Sequence, residues 1–431
     1  MPPGCSRCRN CGAYIDGDSV SSQTSLFGGS FEKKKEPVIK TVEGAPFMPY
    51  EPRGCQMAII EDVRNALDDG RHIVMESGTG TGKTIVSLAS ALEHASKTGK
   101  KVIYLTRTIS QSDQVMKELK AINGIRNVSG IAVTGRNKSC PLYRGNPGFE
   151  NLSPNVLSMM CEERKQRSIK GKAGGCRYFD KVKNLTEEVK NYCFSEFPTS
   201  EILDRHCEKM GACPYEMKKI LMRSADVVAV PYVHILSEDI RNNLLANVNA
   251  AEPERIVLII DEAHNFTDAA KDAESFTISI ATVDAAIDEC ESAGNPNILP
   301  GTGISEFIKY FKTSMRGIAT EKMGLGQREY VFDDDYIEKR LMEKFSLGPQ
   351  DLVTAVQTVA EIGEERSARL IEAGGDHISP LESLGKSMVD WCTANSRRYI
   401  RTMKIDQNGE YLSAACIDPA EISYFLRKIP G

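Results

Sequence analysis

The segment Ser77-Gly78-Thr79-Gly80-Thr81-Gly82-Lys83-Thr84 combines three glycines with a lysine and four hydroxyl residues, and an apolar helical pattern follows from Ile85 to His94. Phosphate oxygens need donors at close range, and glycines let backbone N–H groups turn inward with no Cβ in the way. A helix N-terminus adds partial positive charge at the same place. Gly78, Gly80, Thr81 and Gly82 would line such a cradle. Lys83 would reach the β- and γ-phosphates of ATP, and the Thr84 hydroxyl would take one position on Mg²⁺. Ser77 stands where the strict phosphate-loop pattern has its first glycine, so the expectation leans on the strand-loop-helix setting. A flexible turn with a surface lysine is the plain alternative.

A second group of residues suits the same chemistry. Val257-Leu258-Ile259-Ile260 reads as a buried strand, and Asp261-Glu262-Ala263-His264 follows it. A carboxylate at that strand end would hold Mg²⁺ through water, which is the role expected of Asp261. Glu262 would orient and deprotonate the attacking water. His264 lies too late in the run to ligate the metal and is expected to couple the site to other motifs. Upstream, Arg53 and Gln56 in Tyr50-Glu51-Pro52-Arg53-Gly54-Cys55-Gln56 are candidates for adenine recognition, since a glutamine offers both donor and acceptor to a base edge. A plain helix start explains that segment equally well.

These residues need elements to position them. Continuous apolar runs at Ile73-Val74-Met75, Val102-Ile103-Tyr104-Leu105, Val227-Val228-Ala229-Val230 and Val257 to Ile260 suit strands buried on both faces of a parallel sheet. The expected fold is α/β, with helices on both faces. A chain of 431 residues has material for several domains. Its 41% hydrophobic and 26% charged residues exclude a collagenous or wholly disordered chain. The net charge of −5 excludes a global basic field. No apolar run reaches the about 18–20 residues that cross a bilayer, and the start MPPGCSRCRN lacks a signal-peptide core. The expectation is a soluble intracellular protein, cytoplasmic and without a membrane partner.

The thirteen cysteines, with no secretion signal, point to metal or cluster ligands in a reducing compartment rather than to disulfides. Six of them fall in residues 138–220, and Arg136 to Ile220 carries 16 Lys/Arg against 11 Asp/Glu. Little periodicity is visible there, so the stretch reads as an insertion organised by ligands rather than by a core. Cys5, Cys8 and Cys11 are one ligand short of a tetrahedral zinc site and precede a Ser/Gly-rich stretch and a lysine run. They suit a small zinc knuckle or a disordered leader. Residues 271–405 read as mostly helical, with Ile337, Leu341, Met342 and Phe345 on one face and Leu352, Val353, Val356 and Val359 on another.

A glutamine segment, a G-x-G-K-T loop and D-E-A-H in this order resemble the first motor domain of superfamily 2 helicases. The resemblance sharpens at Leu105-Thr106-Arg107-Thr108 with Ser110-Gln111, at Gly135-Arg136-Asn137-Lys138-Ser139-Cys140, at Ala212-Cys213-Pro214-Tyr215 and at Val230-Pro231-Tyr232. Over about residues 48–431 the chain resembles the XPD helicase family, most like its archaeal members. That resemblance implies a RecA-like parallel-sheet motor domain interrupted by a 4Fe-4S domain and a helical Arch domain. The divisions it implies are a leader at 1–45, motor segments at 46–138 and 221–270, the iron–sulfur domain at 139–220, the Arch at 271–405 and a return to the motor at 406–431. It further implies that Cys140, Cys161, Cys176 and Cys213 hold the 4Fe-4S cluster, with Arg136 in the basic position ahead of the first ligand. The 20, 14 and 36 intervening residues demand that the loops return, and spacing alone does not separate this cluster from a four-cysteine zinc site. Cys193, Cys207, Cys290, Cys392 and Cys416 are then small buried hydrophobes.

By the same resemblance the chain is an ATP-dependent 5′→3′ DNA helicase acting in DNA repair on single-stranded and forked DNA, a monomer that meets repair proteins. Arg107 and Thr108, and with them Arg136, are its candidate DNA contacts, positioning the strand without reading sequence. Aromatic residues among the basic ones of the insertion permit base stacking, although packing is their commoner role. In the family a second motor domain follows Ala414-Ala415-Cys416-Ile417-Asp418-Pro419 and supplies arginines for the γ-phosphate. Its absence here implies a truncated helicase that binds nucleotide weakly and hydrolyses it slowly. A DinG-like helicase and a non-catalytic nucleotide- and nucleic-acid-binding module are the alternatives.

Overall fold

Strands made of β-branched and aliphatic residues on both faces must be covered twice, and that requirement organises the first half of the chain. The computed structural model describes residues 5–7, 14–16, 42–78, 80–144, 154–250, 252–332, 335–373, 378–407 and 409–430. The chain divides into Met1–Val38 and Ile39–Gly431. In the first unit β1 (Cys5–Arg7) pairs antiparallel with β2 (Tyr14–Asp16). Cys8 and Cys11, and the side chain of Cys5, lie outside the described residues, and with them the zinc knuckle.

In the second unit β3 (Lys101–Thr106), β4 (Gly130–Ala132), β5 (Val227–Pro231) and β6 (Ile256–Ile260) form a parallel sheet in the order β4-β5-β3-β6. Alternate residues serve opposite faces, as strand geometry requires. Val102, Tyr104, Val227 and Ala229 join one core with residues of the helices Gln56–Asp68, Lys83–Thr98 and Ile109–Asn123. Ile103, Leu105, Val228 and Val230 join the opposite core. Ile422, Phe425 and Ile429 also belong to that second core, so the last helix, Ala420–Arg427, packs with this parallel sheet.

Two expectations are corrected here. Ile73-Val74-Met75 forms no strand, and Val74 is 95% exposed. A strand needs a ladder as well as a β-branched composition, and β6 pairs only with β3 among the described residues. Residues 138–220 do contain a core. Their helices Val182–Glu196, Ser200–Met210 and Pro214–Ser224 bury Val182, Val189, Cys193, Leu203, Cys207, Met217 and Leu221 against the parallel sheet. Cys193 and Cys207 fill apolar positions on these helices, as small buried hydrophobes.

Residues 271–405 hold the expected helices together with strands. A four-stranded antiparallel sheet runs β10-β11-β12-β7, built from β7 (Phe276–Ser279), β10 (Glu329–Val331), β11 (Tyr399–Asp406) and β12 (Gly409–Cys416). A small hairpin, β8 (Asn297–Leu299) with β9 (Thr302–Gly303), precedes the helix Ile304–Glu321. A separate core around Phe307, Phe311, Trp391, Met403 and Leu412 joins this sheet to its helices. Within it, the helices Pro349–Glu372 and Pro380–Thr393 touch through glycines. A Cβ on Gly363 would lie 2.3 Å from the Glu382 backbone nitrogen, and one on Gly385 would lie 2.6 Å from the Ala360 backbone.

Candidate nucleotide site and cysteine cluster

The loop from Ser77 to Gly82 turns into the helix Lys83–Thr98 through Gly82, whose φ of +81° is easily reached only by glycine. Crowding adds to this, since a Cβ there would stand 2.5 Å from Gln56 Nε2. The Gln56 amide is committed to the loop. Its Nε2 donates to the Thr81 carbonyl at 2.7 Å, and its Oε1 accepts from the Arg53 backbone N–H at 2.9 Å. Gln56 therefore braces the loop, while the Arg53 side chain is exposed. Lys83 Nζ donates to the carbonyls of Ser77 and Gly78 at 3.0 and 3.3 Å, and the Thr81 hydroxyl donates to Gly78 O at 2.9 Å. Gly78, Gly80 and Thr84 lie on the same turn.

Asp261 and Glu262 continue from the end of β6, and the Asp261 backbone N–H donates to Leu105 O at 3.1 Å. Burial and the neighbouring Glu262 charge push the Asp261 carboxyl up, against the Glu262 backbone N–H and the Lys83 ammonium, which pull it down. Lys83 thus lies within electrostatic reach of Asp261. Glu262 sits in the left-handed region at φ +52°. That turn is braced by the Tyr232 hydroxyl, which donates to the carbonyls of Asp261 and Glu262. Burial and both carboxylates push the Tyr232 hydroxyl up to about 12.

Sequence reasoning assigned no role to Tyr232 or to Tyr104. The Tyr104 hydroxyl is pushed upward by burial and by Asp261, and Ser87 and Thr84 ease the rise. The usable signal was a lone phenol in an otherwise aliphatic strand.

Arg107 and Thr108 lie at the C-terminal end of β3. Thr108 caps the helix Ile109–Asn123, accepting from the Gln111 N–H at 3.3 Å, while Gln111 Oε1 accepts from the N–H groups of Arg107 and Thr108. Arg107 Nη1 donates to Asn265 Oδ1 at 3.0 Å. His264 Nδ1 is 3.5 Å from Glu262 Oε2, so the histidine neighbours the carboxylate and is itself largely exposed.

The six cysteines of the insertion separate into two sets. Cys140 is pushed up first by burial, eased by N–H groups of Leu142 and Tyr143, and raised further by Cys161 and Cys176. Cys213 is pushed to about 12 by burial, eased by a backbone bond at Glu216, with Cys140 and Cys161 adding to the rise. Cys140 and Cys161 therefore lie within electrostatic reach of each other, of Cys176 and of Cys213. Cys193 and Cys207 belong to another neighbourhood, buried beside Lys218. Among the described residues no three His, Cys, Asp or Glu side chains are grouped to hold one metal ion. Four thiols in one neighbourhood are a donor set that a multi-iron cluster or a four-cysteine zinc site can use. Arg136 stands beside this group, with its guanidinium 4.5 Å from the Tyr215 ring centroid and its charge acting on Cys161.

The insertion is anchored through a buried cation. Lys218 Nζ meets Asp204 Oδ1 at 2.6 Å and donates to Ser200, Ser139 and Thr134 hydroxyls at 2.6, 3.1 and 3.3 Å. Ser139 adjoins Cys140, so this cluster fixes the approach of the first cysteine to the segment that follows β4.

Residues 104–283 match the DEAD_2 family model and residues 53–149 the DEAD/DEAH box helicase model. A regulator of telomere elongation helicase 1 homolog from Drosophila persimilis is 26% identical over 352 residues, 70% of this chain and 31% of that protein. The homolog of the same name from Oryza sativa subsp. japonica is 26% identical over 290 residues, 56% of this chain and 27% of that protein. The chain thus spans about a third of the length of these curated relatives. An XPD helicase structure superposes with a TM-score of 0.55 at 18% identity, covering 88% of this chain and 56% of the other. A truncated XPD structure gives 0.51 at 17% identity, covering 86% and 88%. These likenesses establish the fold. No helix among the described residues is long and apolar enough to cross a membrane.

Proposed function

We propose that this chain is an XPD-type superfamily 2 helicase that couples ATP hydrolysis to 5′→3′ movement on single-stranded DNA and to the opening of forked duplexes in DNA repair. The observation that carries the reading is the Lys83 charge bearing on Asp261, with Glu262 next in the chain.

In this reading the loop amides and Lys83 bind the ATP phosphates, and Thr84 and Asp261 hold Mg²⁺, which supplies charge neutralisation between the phosphates. Glu262 takes the proton of the attacking water. Gln56 keeps the loop in register, and Arg53 is its partner for the base. Arg107 and Thr108 meet the DNA backbone, while Arg136 acts from beside the cysteines. Cys140, Cys161, Cys176 and Cys213 are the proposed ligands of a 4Fe-4S cluster. When bound it would crosslink loops that a small core cannot hold, and no step of hydrolysis runs through it. The proposed divisions take 139–220 as the iron–sulfur domain and extend the Arch from 271 to 416, because β12 completes its sheet.

The test is strand separation by the full-length protein on forked duplexes with a single 5′ or 3′ tail. ATP-dependent unwinding from the 5′ tail is expected, with Glu262→Gln still binding ATP and unwinding nothing. Binding of DNA with no ATP-dependent unwinding from either tail would leave only a nucleic-acid-binding module.

A further inference from the structure

We propose that Asn265 is a positioning residue that couples DNA occupancy at Arg107 to the Glu262 carboxylate, an inference that rests on the helicase reading above. Four side chains stand in sequence beside the site, joined by two hydrogen bonds and one histidine–carboxylate contact. Arg107 Nη1 donates to Asn265 Oδ1 at 3.0 Å. Asn265 Nδ2 meets His264 Nε2 at 2.9 Å, and His264 Nδ1 lies 3.5 Å from Glu262 Oε2. One histidine tautomer satisfies the whole chain, with the proton on Nδ1 and a bare Nε2. Every donor then points the same way, from the guanidinium towards the carboxylate.

The backbone beneath these side chains is fixed. The N–H groups of Arg107 and Thr108 are held by Gln111 Oε1, and the Asn265 N–H donates to Glu262 O at 2.9 Å. Tyr232 braces the carbonyls of Asp261 and Glu262. Only side chains are free to respond. A DNA phosphate accepting from the exposed Arg107 guanidinium competes with Asn265 for the same donor. The released amide can turn over and present Oδ1 to His264, which favours the tautomer with its proton on Nε2. The ring is open to solvent, so water carries the proton between its two nitrogens. A bare Nδ1 no longer holds Glu262, and the carboxylate is freed for the nucleotide.

The experiment compares steady-state ATP turnover of the full-length protein with and without single-stranded oligodeoxythymidylate, for wild type, Asn265→Ala and Arg107→Ala. Coupling free energies of this kind change a ratio by about 5-fold or more. In Asn265→Ala the ratio of stimulated to basal turnover should fall by that factor while DNA affinity without nucleotide is unchanged. In Arg107→Ala the ratio should fall and half-maximal stimulation should need more DNA. An Asn265→Ala ratio equal to wild type overturns the proposal, as does an equal loss in both arms, which marks a merely structural role. A wild type that DNA does not stimulate overturns the helicase reading itself.

Discussion

Gln56 and Thr81 are joined across 25 residues by a hydrogen bond from the glutamine amide to the loop carbonyl, 2.7 Å long. It ties the helix Gln56–Asp68 to the phosphate loop, and the same amide fills the space that any Cβ on Gly82 would need. A hydrogen bond of this type contributes about 1 kcal/mol, and about 1.4 kcal/mol is tenfold in affinity. Gln56→Ala should therefore weaken ATP binding by roughly 5-fold while leaving the melting temperature nearly unchanged. Titration with a fluorescent ATP analogue checks it, and an unaltered affinity would mean the brace is incidental.

Much of this site was legible because each part carries a local chemical requirement. Lys83 follows closely spaced glycines that suit a phosphate cradle, and Asp261-Glu262 ends an aliphatic run long enough to be a buried strand. What stayed hidden depends on partners distant in sequence. Ile73-Val74-Met75 has the composition of a strand but no ladder. On β11, Arg401 occupies a buried position, and ion pairs with Asp335 and Glu338 allow it to be there. That charge masks the alternation by which the strand would have been recognised. Tyr232 and Asn265 gain their roles only when the turn after β6 brings Glu262 against them.

The glycine contact between the helices Pro349–Glu372 and Pro380–Thr393 sets a second expectation. Alanine is favoured over glycine by about 1 kcal/mol inside a helix. Against this, a Cβ on Gly363 meets backbone atoms of Glu382 at 2.3 and 2.4 Å, which no side-chain rotation can relieve. Gly363→Ala should destabilise the second core by about 1–3 kcal/mol. Trp391, the chain's one tryptophan and buried in that core, reports it by fluorescence during urea unfolding. A more stable variant would mean that the helices separate at little cost.

His234 sets a pH dependence. Burial pushes this imidazole down to about 4, and its Nδ1 has no hydrogen-bond partner. The unfolded chain protonates near 6.5, so between these values it binds more protons than the folded one. The stabilising contribution is complete above 6.5 and is lost as pH falls towards 4. His234→Gln should make the urea midpoint less sensitive to acidification from pH 7 to 5. Parallel slopes for wild type and variant would show that other groups govern the acid limb.

The four thiols decide between a helicase of the XPD type and a simpler nucleotide-binding domain, and metal analysis addresses them directly. Iron, acid-labile sulfide and zinc should be measured on anaerobically purified protein together with the visible spectrum. About four irons and four sulfides per chain are expected, lost in Cys140→Ser and retained in Cys193→Ser. One zinc without sulfide, or a cluster that survives Cys140→Ser but not Cys193→Ser, would contradict the assignment.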